Sequence, residues 1–338
     1  MRYFLLPISW IYVSIVSIRN LFFDFQIFHS KNIDNGIGVG NLSMGGTGKS
    51  PLSVHIAELI LKNHGEPALL SRGYGRKTKG FIEVDEDNLS QNVGDEPLMF
   101  KQRFKDKVGV YVCESRTLGS NKIRTANPKS TIIFDDVFQH RKINPSLNIL
   151  TTPYGDPFYT DHILPVGRLR EPPASANRAD CIVVTKCPET LKDDDYNKVK
   201  NKLSKFSKPI FFSHIEYSEM LPITSAVQSV KNILLVTGIS DPSHLIEHLE
   251  DKYEIQSISF PDHHAFTKKD IEKIHEKFGI FDPKESIILT TEKDKVRLSK
   301  FNGLITKNGA SWYYQPMSIR LHDAAQFESL IRKHVRKV

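Results

Sequence analysis

One stretch of this 338-residue chain restricts its fold more than any other. Gly40-Asn-Leu-Ser-Met-Gly-Gly-Thr-Gly-Lys-Ser-Pro51 lies between a β-rich run and an amphipathic helical pattern. A glycine-rich turn between strand and helix lets backbone N–H groups face inward around phosphate oxygens, and the helix N-terminus adds its positive dipole end. The pattern assigns Ser43, Met44, Gly45, Gly46, Thr47, Gly48, Lys49 and Ser50 to phosphate, with Lys49 neutralising β/γ charge and Ser50 able to ligate Mg²⁺. Ser43 stands where the usual pattern has its first glycine. A glycine-rich turn that binds nothing is the competing reading, and the flanking strand and helix weigh against it.

The rest of the chain alternates β-rich runs with amphipathic stretches, which predicts a doubly wound α/β architecture. Strands are expected at 36–41, 67–71, 108–113, 131–135, 147–151, 181–185 and 209–214, with helices at 51–63, 97–104 and 194–206. A second α/β set is expected from 232: strands at 232–237, 255–260 and 286–289, and helices at 242–252, 268–278 and from about Glu292. Between the sets, 217–229 has little periodicity and contains Pro222, so it reads as the join. The expected divisions are an N-terminal helix (1–25), a P-loop lobe (26–216), a connection (217–229), a second lobe (230–320) and a C-terminal helix (321–338).

The N-terminus bears on membranes. Residues 3–18 are almost unbroken apolar sequence, interrupted by Arg19 and Asn20, short of the roughly 18 to 20 residues that span a bilayer and without a small-residue cleavage site. Ile8, Ile11, Ile15, Ile18 and Phe22 form an apolar stripe with Trp10 and Tyr12 nearby, while Ser14, Ser17 and Asp24 recur on another side. That pattern predicts a helix lying in a membrane interface, with a core helix as the alternative.

The run 131–134 ends in Asp135 and Asp136, where a P-loop protein places carboxylates that hold Mg²⁺ directly or through water. An acidic pair after a strand can also be a turn or cap. Further polar strings occur where loops should emerge: Ser71-Arg-Gly-Tyr-Gly-Arg76, Gly94-Asp-Glu-Pro97, Leu164-Pro-Val-Gly-Arg-Leu-Arg-Glu-Pro172, Phe260-Pro-Asp-His-His264 and Thr291-Glu-Lys-Asp294. Arg72, Arg76, Arg168 and Arg170 suit forked contacts with phosphate or are solvated surface. Asp95 could equally cap a helix, and His263 and His264 could be exposed loop residues. The net charge of +7 points to anionic partners or to solubility alone. Cys113, Cys181 and Cys187 are odd in number and lack zinc-ligand spacing, which fits a reducing cytoplasm.

Taken together, these strings resemble the tetraacyldisaccharide 4′-kinase family of lipid A biosynthesis, in one order along nearly the whole chain: the GN-x-S-x-GGTGKSP loop, SRGYGR, VGDEP, DD-x-FQH, LP-x-GRLREP, the pair near His263 and TEKD. The third position of DD-x-FQH, commonly glycine in the family, is Val137. The resemblance implies two P-loop-like (RecA-like) lobes flanking a site that transfers the γ-phosphoryl group of ATP, with Mg²⁺, to the 4′-hydroxyl of tetraacyldisaccharide 1-phosphate, giving lipid IVA. It implies Asp95 as base with His263 as its orienting partner, Glu171 as a further group near the metal, and a peripheral or monotopic place on the cytoplasmic face of the inner membrane. Phosphoryl transfer needs a base that a P-loop does not supply, so another loop must bring it. A membrane-recruited P-loop ATPase switch and a non-enzymatic nucleotide-binding scaffold remain alternatives. Nucleic acid is not expected, because the basic residues are dispersed.

Overall fold

The computed structural model describes residues 2–306 and 309–335. Its strands in chain order are β1 (Lys31–Asn41), β2 (Pro67–Ser71), β3 (Ile82–Glu83), β4 (Gly109–Val112), β5 (Thr131–Asp135), β6 (Ile143–Pro153) and β7 (Cys181–Thr185). They continue with β8 (Ile210–Tyr217), β9 (Leu221–Pro222), β10 (Asn232–Thr237), β11 (Glu254–Ser259), β12 (Ser286–Thr291), β13 (Trp312–Gln315) and β14 (Met317–Leu321). Nine strands form one sheet in the order β14-β8-β7-β6-β1-β5-β2-β4-β3, and five form a second in the order β11-β10-β12-β13-β9. Among the described residues, only the edge strands β14, β3 and β9 run antiparallel to their neighbours. The central strands β2, β5 and β7 are buried at every position, as a sheet covered on both faces requires.

Strand order explains where the site must lie. β1 sits between β5 and β6; the chain builds one half of the sheet outward through β5, β2 and β4 and the other through β6, β7 and β8. A crevice therefore opens beyond the carboxyl end of β1, the usual ligand edge of an open α/β sheet. Helix α1 spans Leu6–Asp24, and helix α2, Lys49–Lys62, starts at that crevice and buries Leu52, Val54, Ile56, Ala57 and Ile60 against the sheet.

The expected division at 320 is corrected by pairing. Met317–Leu321 lies antiparallel to β8 in the larger sheet, with Ile319 and Leu321 buried in its core, so the second sheet's contribution ends with β13. The helix Ala324–Lys333 follows it back and buries Phe327 and Ile331 in the same core as α2. The stretch expected as a simple join is also partly structured, since β9 pairs with β13. The second lobe is thus inserted between β8 and β14.

Helix α1 is inverted relative to a soluble helix. Its buried residues are Ser9 and Asn20, while Ile8, Trp10, Ile11, Ile15, Ile18, Leu21 and Phe22 are exposed. Ser9 Oγ donates to Ile163 O at 3.2 Å, and Tyr12 Oη to Arg170 O at 3.0 Å, so polar groups dock the helix onto the protein. Of the residues expected on the polar side, Ser14 and Asp24 are exposed; Ser14 donates to Trp10 O of its own helix, and Asp24 accepts from Arg141 at 2.6 Å. Ile11→Ser and Ile15→Ser should each change stability by less than about 0.5 kcal/mol. Leu52→Ala, at a fully buried position, should cost about 2 to 5 kcal/mol. Urea unfolding of the three variants measures the contrast.

Candidate functional site

β1 ends at Asn41, and residues 42–48 turn into α2. Gly45 and Gly48 have φ of 100° and 78°, in the region that favours glycine. Thr47 braces the turn from beneath: Asn41 Nδ2 donates to its Oγ1 at 2.7 Å, and Thr185 Oγ1, at the end of β7, donates to its carbonyl at 2.9 Å. The outer wall is the 164–172 loop, where Met44 N donates to Arg168 O at 2.8 Å and Arg170 N to Leu42 O at 2.7 Å. Ser43 forms a bridge with Leu169 in this wall, which accounts for a side chain where the usual pattern has glycine.

Two carboxylates border the turn. Asp135, at the end of β5, is buried and accepts from Ser53 Oγ at 2.8 Å. Asp136 takes a left-handed φ of 50°, which turns it toward Lys49 Nζ at 3.8 Å and the Arg170 guanidinium at 2.9 and 3.3 Å. Enclosure alone would raise the Asp136 pKa, but Lys49 and then Arg170 outweigh it and bring it to about 2. Asp135 moves the other way: burial first, then the charge of Glu96, pushes its pKa up. Val137, in the position that is glycine in the resemblance, is buried and its N–H donates to Val39 O at 3.2 Å, so the left-handed residue is Asp136 and valine is accommodated.

The second lobe meets this edge through the helix Glu292–Leu298. Glu96 Oε1 accepts from Ser50 Oγ and from Lys293 Nζ, both at 3.1 Å. Asp95, the first residue of the helix Asp95–Phe104, lies with Oδ2 3.1 Å from His263 Nδ1, and the same oxygen accepts from Arg297 Nε at 2.7 Å and from Arg297 Nη2. Arg297 Nη1 is held by Asp294 Oδ1 and Gly238 O, both at 2.7 Å. Burial would raise the Asp95 pKa, but the His263 hydrogen bond and the cations Lys293 and Arg297 hold it well below the usual carboxylate range. His263 has φ 58° and lies against Tyr74 of the 71–76 loop, with ring centroids 5.2 Å apart. Asp95 and His263, 168 positions apart in sequence, are therefore hydrogen-bonded across the two lobes at the edge that carries Lys49 and Ser50.

The sequence matches the family described as Tetraacyldisaccharide-1-P 4'-kinase over residues 1–336. The chain belongs to that family. It is 38% identical over 346 residues to a tetraacyldisaccharide 4'-kinase of Flavobacterium johnsoniae, covering 100% of this chain and 98% of the relative. It is also 38% identical over 314 residues to the one of Bacteroides thetaiotaomicron, covering 87% of this chain and 82% of that protein. The fold superposes on the crystal structure of LpxK from Aquifex aeolicus in complex with ATP with a TM-score of 0.75, at 27% identity and 99% coverage of both chains.

Within this kinase, several residues expected at the site are placed elsewhere or are already engaged. Glu171 is corrected: it is fully buried, its oxygens taken by Arg19 at 3.0 Å, Asn20 at 3.2 Å and Arg178 at 2.6 Å, so it anchors α1 and is closed to a metal. Arg76 is nearly buried, and its Nη2 donates to Glu114 and to Gly80 O, both at 2.7 Å, within its own loop. Arg168 pairs with Asp156 and Asp161, and Arg170 with Asp136. Arg72 is exposed and, among the described residues, has neither ion pair nor hydrogen bond. Arg297, Lys293 and Glu96 were not picked out from the sequence. The available signal was the helix that starts at Thr291, on which Lys293 and Arg297 are four apart and share a face.

Arg297→Ala leaves Asp95 and Asp294 buried without their cation, so it should cost about 3 to 5 kcal/mol at neutral pH by urea unfolding. Because the folded Asp95 pKa is depressed, its stabilisation is complete above the unfolded value of about 3.9 and declines as pH falls below it. The gap between the wild type and Arg297→Ala should therefore narrow below about pH 4.

Proposed function

We propose that this kinase transfers the γ-phosphoryl group of ATP to the 4′-hydroxyl of tetraacyldisaccharide 1-phosphate, giving lipid IVA, with residues 43–50 as the phosphate cradle and the Asp95–His263 pair as the proton acceptor. The observation that carries the reading is the 3.1 Å contact between Asp95 and His263, made from opposite lobes beside Ser50 and Lys49.

Mg²⁺ fits the residues present. Ser50 Oγ donates to Glu96, while Asp135, beside Ser53, and Asp136, beside Lys49, border the same turn, so oxygen ligands for a divalent cation are available. Among the described residues no three His, Cys, Asp or Glu side chains form a closed metal cage. Mg²⁺ requires no such cage, because it keeps water and binds through one or two carboxylates plus substrate phosphates. The ion, when bound, would neutralise charge on the transferring phosphoryl group. Ser50, Asp135 and Asp136 are the residues that would hold it.

We infer an order within the pair that differs from the sequence expectation of Asp95 as base and His263 as its orienting partner. Asp95 Oδ2 is occupied by Arg297 and His263 Nδ1, and its carboxylate is held ionised. His263 is the more exposed member; Arg297 Nη2 lies 3.2 Å from its Nδ1, and its Nε2 faces Lys293 Nζ at 3.5 Å, a contact the acceptor hydroxyl would replace. We therefore assign Nε2 of His263 as the atom that receives the hydroxyl proton and Asp95 as the group that fixes the imidazole with its Nδ1–H toward the carboxylate. Arg72, left unpaired at the rim, is assigned to an anionic group of the acceptor.

The outward apolar face of α1 supports docking on the inner-membrane lipid surface. The three free, buried cysteines and the use of ATP support its cytoplasmic face. The lobe boundaries follow the two sheets, with residues 218–316 as the inserted unit.

Purified protein in detergent, given Mg·ATP and tetraacyldisaccharide 1-phosphate, should yield a product heavier by one phosphate in mass spectrometry; its absence overturns the reading. Lys49→Ala should abolish turnover in a folded protein. Asp95→Ala and His263→Ala should each lower kcat by about 10² to 10⁴, and the double variant by no more than the larger single loss. Removal of residues 1–23 should free the protein from liposomes while ATP still binds, and continued co-sedimentation would place the anchor elsewhere.

A further inference from the structure

A second lysine stands at the phosphate cradle. Lys186 directly follows β7 and has a left-handed backbone, φ 56°. Such a conformation is unfavourable for a residue with a Cβ and persists only where its surroundings over-determine it. Here they do. The preceding Thr185 donates to Thr47 O at 2.9 Å and packs so closely on Gly48 that a Cβ there would meet it at 3.0 Å. The base of Lys186 is therefore fixed to the phosphate-binding turn, independently of what its ammonium touches.

The ammonium lies over the turn. A Cβ placed on Gly46 would lie 3.9 Å from Lys186 Nζ and 2.9 Å from Ser240 Oγ. Ser240 belongs to the segment that follows β10 in the second lobe, so that segment rests on the backbone meant to wrap phosphate oxygens. Its neighbour Asp241 holds Lys186 Nζ at 3.1 Å through Oδ2, while its Oδ1 is tied down by Ser243 N at 3.1 Å and Ser243 Oγ at 2.6 Å. The Lys186 side chain is mostly covered and that of Asp241 about half so.

A polyphosphate arriving on Gly46 would meet a cation it attracts and a carboxylate it repels. We propose that Lys186 is a second phosphate-binding lysine of the nucleotide site, held in the free protein by Asp241 of the second lobe, so that ATP and Asp241 compete for one ammonium. Binding then displaces the Ser240–Asp241 segment from the cradle and moves the lobes relative to each other. A contact that must break before a ligand binds lowers the apparent affinity by the fraction of molecules in which it is already open. This inference rests on residues 43–50 being the nucleotide site and does not depend on which group takes the proton.

The test is direct titration of the full-length protein with Mg·ATP by calorimetry, without lipid acceptor. Lys186→Met should weaken binding by about ten- to a hundredfold, the range for losing a charge-assisted hydrogen bond. Lys186→Arg, which keeps the charge, should recover most of it. Asp241→Asn should tighten binding by about two- to fivefold, as expected when a partly exposed ion pair no longer competes. That gain should vanish in the double variant with Lys186→Met. Inorganic pyrophosphate should show the same ordering, because the contact is to phosphate and not to the base. If Lys186→Met binds ATP like the wild type while Lys49→Ala does not, the second lysine is overturned and the P-loop reading stands. If neither variant loses affinity, both fall. Weaker binding in Asp241→Asn, comparable to that in Lys186→Met, would make the pair a structural contact and overturn the competition.

Discussion

Asp95 makes the most buried of the charged contacts that join the larger sheet's residues to those of the second sheet. Its carboxylate starts a helix of the P-loop lobe, yet its strongest partners, Arg297 and His263, come from the inserted lobe. Arg297 is in turn fixed by Asp294 and the carbonyl of Gly238, so one guanidinium joins an acid from each lobe with the backbone that follows β10. Breaking such a buried pair costs several kcal/mol because a charge is left without compensation, not because the intact pair is strongly stabilising. Its value here is positional. The imidazole of His263 is set against a carboxylate whose own place is fixed by the start of a helix.

The same logic of paired charge runs along the whole crevice. Lys49 and Arg170 face Asp136, Ser50 and Lys293 face Glu96, and Lys186 faces Asp241. These groups suited to phosphate or metal, unlike Arg72, are thus held by a side chain of opposite character in the free protein. Preorganisation of this kind avoids leaving cations unpaired in a partly buried site, and it makes ligand binding an exchange of partners. Two of these contacts, Lys293 to Glu96 and Lys186 to Asp241, join residues of the segment that carries the second sheet to residues of the larger one.

At the opposite side of the 164–172 loop, α1 reverses the ordinary arrangement of a helix on a protein. Serine, tyrosine and asparagine dock it, with Glu171 gathering Arg19, Asn20 and Arg178 beneath, and the isoleucines point away. The loop that carries Arg170 to Asp136 carries Glu171 to α1 in the next residue. One short segment therefore connects the apolar face with the phosphate cradle.

Much of this was legible in the amino-acid order, because it rests on local rules. A glycine-rich turn between strand and helix needs no distant partner to be recognised, and neither does an apolar strand that ends in two aspartates or an isoleucine stripe at helical spacing. What local rules do not contain is which of several equivalent side chains finds an opposite charge far along the chain. Glu171 and Arg76 have the same chemistry as the other candidate site residues and are paired with Arg178 and Glu114. Arg297 and Lys186 carried no motif and were drawn to the crevice by helix phase and strand end. The return of β14 to β8 was hidden for a similar reason: an alternating strand records that one face is buried, and only the assembled sheets decide against which core.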